Sequence, residues 1–190
     1  MAGRRPSASG NGTALRQRNF HGSAVAGKGK EAMFEDDDDA RIEAARNLAP
    51  GDRRWAVEAF RSIAVDEGVG EDVRLEAARE LAEIDERSAA EACRSIAVDE
   101  GVGEDVRLEA ARQLAEIDER SAAEACCSIA VDEGVGEDVR LEAAMLARGD
   151  RRWAAEAFRG IAVDEGVGED VRLEAARELA EIDERSAGVL

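Results

Sequence analysis

The sequence contains few of the side chains on which most catalytic and metal sites depend. Its 190 residues include one His, no Tyr and three Cys, and aromatic side chains make up 3% of the total. An odd number of Cys without a secretory signal argues against a disulfide framework. No apolar run approaches the roughly 18 to 20 residues that a membrane span requires. We therefore expect a soluble, cytoplasmic protein.

Positive charge is also scarce, because 26 Lys and Arg face 44 Asp and Glu, for a net charge of −18. This balance argues against nucleic acid, whose phosphates favour Lys and Arg. The first 30 residues are the exception, since they are rich in Gly and Ser and hold six basic residues and no acidic one. We predict a disordered tail over residues 1–39, basic and then acidic, and a folded domain over residues 40–190.

What the sequence does contain is a tandem repeat. Residues 73–105 return as residues 106–138 with two changes, Gln113 in place of Glu80 and Cys127 in place of Arg94. The period is therefore 33 residues. A more diverged copy covers residues 40–72, a copy shortened by one residue covers 139–170, and a partial copy follows. Periods of this length are typical of stacked helical repeats.

Each repeat predicts two short helices. At 100° per residue, Val73, Ala77 and Leu81 share one face of the first helix, which is apolar over a wide arc and must be covered on two sides. The second helix begins near Asp85, and we expect this Asp to accept from the free amides of the first turn. Its equivalents in the other copies are Asp52, Asp118, Asp150 and Asp183.

The two helices are joined by the segment D-E-G-V-G-E-D, as in residues 66–72. We expect Gly68 to end one helix in a left-handed conformation and Gly70 to open the next. Counting from Asp39 predicts one leading helix, four helical pairs and a stub from Asp183 to Leu190.

The run Asp72-Val73-Arg74, followed by Ala77-Ala78, Leu81 and Ile84, resembles the second helix of HEAT repeats, in particular the short HEAT-like repeats of the phycobilisome-lyase type. The resemblance covers residues 40–182 and implies an all-α fold, a right-handed α-α solenoid of stacked helical hairpins with 33-residue repeats. Tetratricopeptide-like packing is the second choice and ankyrin a distant third, because their characteristic residues are absent.

The resemblance also implies a structural role for one Arg in each unit, which in HEAT families meets an Asp of a turn. The corresponding residues here are Arg74, Arg107, Arg140 and Arg172. A charge inside the apolar arc is tolerated only when it is paired. Gly68 stands near the place expected for that Asp, so Asp66, Glu67 or Asp72 would have to replace it.

HEAT-like arrays mostly act as scaffolds, so the resemblance implies a non-catalytic protein–protein interaction scaffold without a cofactor. Its partner would be a protein or peptide, and a basic one if the acidic turns form the contact. The metal-dependent hydroxylation of some members requires repeated His-Glu ligands, and the only His here is His21. The alternative is an accessory subunit of a lyase-type enzyme, active only with a partner chain. A third case is a truncated duplicate without a function of its own, whose uncapped ends would favour self-association.

Two sets of residues are candidates for partner binding. The first is the acidic turns, which could form a ridge that attracts a basic partner or loosely binds divalent cations, or could serve only helix capping and solubility, the reading we prefer. Its members are Asp66, Glu67, Glu71, Asp72, Asp99, Glu100, Glu104, Asp105, Asp132, Glu133, Glu137 and Asp138. The second is Trp55 and Trp153, which could anchor a partner, although packing against a neighbouring helix is the interpretation we favour.

The cysteines are expected to be inert. Cys93 and Cys126 occupy core positions in adjacent units, too far apart for a disulfide. Cys127 replaces an Arg that faces water, so it is the one thiol expected to react with a labelling reagent.

Overall fold

The computed structural model describes residues 31–48 and 51–187 of the chain, with side chains over 38–47 and 51–184. Most of the predicted tail, residues 1–30, lies outside the described residues. Those that are described form nine α-helices and one short 3-10 helix, with no strand among them. The α-helices are α1 (Glu31–Leu48), α2 (Arg53–Ala64), α3 (Glu71–Ile84), α4 (Glu86–Ala97), α5 (Glu104–Ile117), α6 (Glu119–Val131), α7 (Glu137–Leu146), α8 (Arg151–Val163) and α9 (Glu169–Ala187).

The repeated turn ends one helix and starts the next through backbone and carboxylate contacts. After α2, Val65 closes the helix in a right-handed conformation, and the carboxylate of Asp66 accepts from the amide of Gly68 at 3.1 Å. Gly70 then stands at the N-cap of α3. The left-handed conformation predicted for Gly68 is therefore wrong, because the Asp66 carboxylate closes the turn without it.

The Asp expected to cap the other helix of each pair does so at three positions. Asp52, Asp118 and Asp150 accept from amides in the first turns of α2, α6 and α8. Asp85 instead accepts from the hydroxyl of Ser88 at 2.7 Å and makes no side-chain bond to the backbone of α4. Asp183 lies inside α9, so the predicted stub is a continuation of that helix rather than a separate one.

The leading helix is longer than predicted, since α1 begins at Glu31 and takes in residues 31–39, which the sequence had assigned to the tail. These residues include a run of acids near the N-terminal half of the helix.

The helices pack in the order of the chain. Each contacts the next helix and the one after that, and among the described helices none contacts a helix farther away in sequence. The described helices therefore form an open array that does not close on itself, and its stability depends on contacts between neighbours. Its core is built mainly from Ala, with larger buried side chains at Phe60, Leu81, Cys93, Ile96, Leu114, Cys126, Ile129, Phe158 and Ile161. None of the described helices combines the length and apolarity required to cross a membrane.

Candidate interaction surface at the turn edge

The four turns between paired helices, taken with the first residues of the helix that follows (residues 66–72, 99–105, 132–138 and 164–170), form one edge of the array, which we call the turn edge. Two rows of contacts join each turn to the unit before it. They are described first because they decide which acidic side chains remain available to a partner.

The first row is a ladder of four arginines, three of them buried. Arg74 lies on α3, and its Nη1 donates to the carboxylate of Asp99 in the next turn at 3.0 Å. Its Nε donates to the carbonyl oxygen of Ala64 at 3.1 Å, so the guanidinium also holds the end of α2. The same contact to the next turn recurs three times, as Arg41–Asp66 at 2.9 Å, Arg107–Asp132 at 2.8 Å and Arg140–Asp164 at 2.8 Å.

The partner of each of these four Arg is thus the first Asp of the following turn, whereas Arg172, for which the same role was predicted, makes no ion pair with a described residue. The sequence named Asp66 as one of three candidates but gave no reason to look one unit ahead. In Asp132, hydrogen bonds from Arg107 and from the backbone amide of Gly134 hold the pKa of the carboxyl below its usual value. The pKa of Asp99 is lowered by the amide of Gly101 and by Arg74. These acids remain charged well into the acidic range and keep the ladder paired.

The second row joins a Glu of one unit to the backbone of the next. The carboxylate of Glu71 accepts from the amide of Gly103 at 2.6 Å. Equivalent bonds join Asp38 to Gly70 at 3.1 Å, Glu104 to Gly136 at 2.6 Å and Glu137 to Gly168 at 2.6 Å. The sequence predicted that Glu71, Glu104 and Glu137 form an acidic ridge or, as we preferred, serve capping and solubility, whereas in the structure they hold the turns in register.

Apart from Glu169, which is exposed on α9, two of the four acids in each turn therefore remain for other roles. They are exposed and make no ion pair with a described residue, and no basic side chain occurs within the turn segments. They are Glu67, Asp72, Glu100, Asp105, Glu133, Asp138, Glu165 and Asp170. The Asp of each pair lies in the first turn of a helix, where its charge is favourable. The Glu of each pair, which lies at the tip of the turn, has no such structural role.

A row of exposed valines runs beside these acids, and sequence reasoning missed it. One valine precedes each turn, and between 44% and 70% of its surface is exposed, at Val65, Val98, Val131 and Val163. The sequence contains a signal for this row, because a valine recurs before every turn and lies outside the apolar faces of both helices. The second valine of each turn, as at Val69, is buried.

A notch lies between two successive turns. The notch between the second and third turns has a volume of about 300 Å³ and is lined by Glu100, Val102, Glu104, Arg107, Asp132, Gly134 and Val135. Its Asp132 is paired with Arg107, and its Glu104 accepts from the amide of Gly136, so Glu100 contributes the unpaired charge. A basic side chain of a partner could enter such a notch.

The two tryptophans differ in their surroundings. Trp55, in α2, has 64% of its surface exposed, so the packing that we favoured for it is wrong. It lines a surface cavity of about 410 Å³ together with Arg54 and Glu58. Trp153, in α8, is half-buried and lies under the guanidinium of Arg152, 5.0 Å from the ring centre. Both belong to helices outside the turn edge, so the structure does not join the two sets of candidates.

All three cysteines are buried and free. This confirms the core positions of Cys93 and Cys126 and corrects the prediction that Cys127 is exposed. Arg94, at the equivalent position in the preceding unit, extends outward to pair with Glu124 at 3.2 Å, whereas the shorter Cys127 side chain ends below the surface. Burial raises the pKa of Cys93 and of Cys127 to about 11 and that of Cys126 to about 12. None of these thiols is poised for nucleophilic chemistry.

The remaining helix faces carry ion pairs between units. Arg61 pairs with Glu91 at 3.1 Å and Arg79 pairs with Glu109 at 2.9 Å, each joining one helix to its counterpart in the next unit. Among the side chains described, no group of three or more His, Cys, Asp or Glu could hold a metal ion.

No protein family, curated protein or solved structure matches this chain. The resemblance to HEAT-like repeats thus depends on the repeated residues quoted above.

Proposed function

We propose that this chain is a non-catalytic protein–protein interaction scaffold, a right-handed α-α solenoid of HEAT-like 33-residue repeats that binds a basic, amphipathic segment of a partner along the turn edge. One observation carries the proposal. In each of the four turns, an exposed valine lies beside carboxylates that no nearby basic residue neutralises.

The contacts within the array support this role because they fix the positions of the exposed groups. The Arg–Asp and Glu–Gly rows join every turn to its neighbour, so the turn edge is held in place before a partner binds. A preorganised surface loses less conformational entropy on binding than a flexible one. Neighbouring helices lie about 8–10 Å apart, so an extended partner would meet a valine and a carboxylate at each such step.

The exposed carboxylates and the exposed valines would contribute differently to binding. Unpaired carboxylates attract a basic partner and raise its rate of association, and this effect weakens as salt screens the charges. Exposed valines add apolar contact that salt does not screen, and such contact at the centre of an interface supplies much of the affinity. A partner that binds through both should survive a wash at physiological salt.

The test compares the wild-type chain with two quadruple variants as baits in a capture experiment, read by mass spectrometry. One variant replaces the tip glutamates Glu67, Glu100, Glu133 and Glu165 by Gln, and the other replaces Val65, Val98, Val131 and Val163 by Ser. A matched control replaces four exposed, unpaired glutamates away from the turns, Glu58, Glu83, Glu86 and Glu116, by Gln.

We expect one partner with a basic surface to be retained at physiological salt by the wild type and the control but not by either turn-edge variant. Equal retention by all four baits would contradict the proposal. The accessory-subunit alternative would be favoured if the retained partner were an enzyme whose turnover required this chain.

A further inference from the structure

The outer face of α9 carries the same groups as the inner repeats but nothing covers them among the described residues. Leu173 has 49% of its surface exposed, whereas its equivalents Leu75 and Leu108 are 5% and 3% exposed. Those two leucines are buried because another helical pair follows them in the array. The α9 face is therefore apolar at a position where the other units are covered.

Polar groups on the same face also lack the contacts that their equivalents make. Arg172 makes no ion pair with a described residue, whereas Nη1 of Arg140 donates to the carboxylate of Asp164 in the next turn at 2.8 Å. Glu169 is exposed, whereas Glu137 accepts from the Gly168 amide. The α9 face thus presents an arginine and a carboxylate in the register that binds a turn.

The opposite end of the array shows what such a face binds. In α1, Asp38, Arg41 and Ile42 occupy the positions that Glu169, Arg172 and Leu173 occupy in α9. Asp38 and Arg41 contact the first turn, through the amide of Gly70 and the carboxylate of Asp66. The helix α1 therefore covers the α2–α3 end of the array as an inner repeat helix would.

The contacts of α1 are looser than those of the inner helices. The side chain of Arg41 is 37% exposed, against 6% for Arg74. Asp38 lies 3.1 Å from its glycine amide, whereas Glu71 lies 2.6 Å from the amide it binds. Asp is one methylene shorter than Glu, so a glutamate at this position, as α9 has at Glu169, would reach the amide more closely.

We propose that the outer face of α9 binds the α2–α3 end of a second copy of this chain, in the place of α1, so that copies stack head to tail. Arg172 then meets the partner copy's first-turn carboxylate, Glu169 meets the first-turn glycine amide, and Leu173 is covered. Because α1 is tethered, its effective concentration is on the order of millimolar, and it competes with this assembly. The contact joins two different surfaces, so repeated stacking gives a ring or a filament.

The test uses the full chain and two substitutions at opposite ends. Ala45→Glu places a charge at a position of α1 that is 1% exposed and releases α1 from the α2–α3 end. Leu173→Glu blocks the α9 face. In sedimentation velocity, Ala45→Glu should self-associate at least about tenfold more tightly than the wild type, whereas the double variant should be monomeric.

A mixing experiment shows which surfaces are involved. The double variant has a free α2–α3 end and a blocked α9 face, so with the wild-type chain it should form a complex of one copy of each, twice the chain mass of 20.3 kDa. Mixed with Leu173→Glu alone, it should form none. Absence of the first complex would overturn the proposal, and so would equal complexes in both mixtures, because association would then not require α9.

A milder variant keeps the test valid if Ala45→Glu disturbs the fold. Asp38→Ala together with Arg41→Ala removes only the two polar contacts between α1 and the first turn. Circular dichroism should show that the helices are retained, and association should again strengthen relative to the wild type. Retained helices with unchanged association would count against competition by α1. These assays contain only this chain, so their outcome does not depend on the proposed scaffold function.

Discussion

Breaking one rung of the arginine ladder should reveal how much it stabilises the array. Arg107 and Asp132 form a central rung, with the Arg side chain 5% exposed and the Asp side chain 24% exposed. Asp132→Ala leaves a buried guanidinium with only the carbonyl oxygen of Ala97, at 3.2 Å, as a hydrogen-bond acceptor. Removing one member of a buried pair is costly, so we expect the free energy of unfolding to fall by about 2–4 kcal/mol.

Replacing the Arg of this rung instead of the Asp should lower the free energy of unfolding by less. Arg107→Met removes the buried charge and leaves Asp132 partly exposed and still bonded to the amide of Gly134 at 2.9 Å. Losing hydrogen bonds to a charged group, offset by an apolar side chain in the core, should lower the free energy of unfolding by about 1–2 kcal/mol. The double variant should therefore lose less than the sum of the two single losses, with a coupling energy of about 1 kcal/mol or more.

The assay is urea unfolding followed by circular dichroism at neutral pH, with midpoint and slope compared among variants. The matched control is Arg172→Met, because Arg172 lies in the same local sequence but makes no ion pair with a turn Asp among the described residues. We expect it to change the free energy of unfolding by no more than about 0.5 kcal/mol. Equal losses at Arg107 and Arg172, or additive losses at Arg107 and Asp132, would refute the ladder as a source of stability.

Further predictions concern acid, thiol reactivity, one missing ion pair and tryptophan exposure. The pKa of Asp99 is lowered in the folded state, so its ionised carboxylate stabilises the fold above its ordinary pKa of 3.8, and this stabilisation is lost as the pH falls through the folded pKa. The difference in the free energy of unfolding between wild type and Asp99→Asn, measured at each pH, should therefore stay constant from neutral pH down to about pH 5 and shrink below 3.8. Cys127 should react with a thiol reagent at mildly alkaline pH only after urea is added, and fast labelling of the folded chain would disprove its burial. Cys127→Arg should restore a pair with Glu156 and raise the free energy of unfolding by at most about 1 kcal/mol, whereas a loss would mean that the site cannot direct an Arg outward. The fluorescence of Trp55, measured in the Trp153→Phe variant, should be quenched by iodide, and resistance to quenching would contradict its exposure.

The repeated sequence by itself determined the local structure of this protein. Apolar residues at helical spacing and a glycine pair in every turn are local signals, and they predicted the helical pairs, the opening of α3 at Gly70 and the burial of Cys93 and Ile96. They fail where the local pattern is the same but the surroundings differ. Asp183 repeats the sequence around Asp85, yet it lies within a continuous helix.

Tertiary structure decided everything that depends on how one unit lies on the next. Arg74 pairs with an Asp 25 residues away and Glu71 with an amide 32 residues away, because stacking offsets each turn by one unit. The same offset leaves the valine before each turn exposed and covers Cys127. A helical period specifies which side chains share a face of a helix, but not which unit that face will contact. The contact between units decides which carboxylates hold the array together and which remain available to a partner.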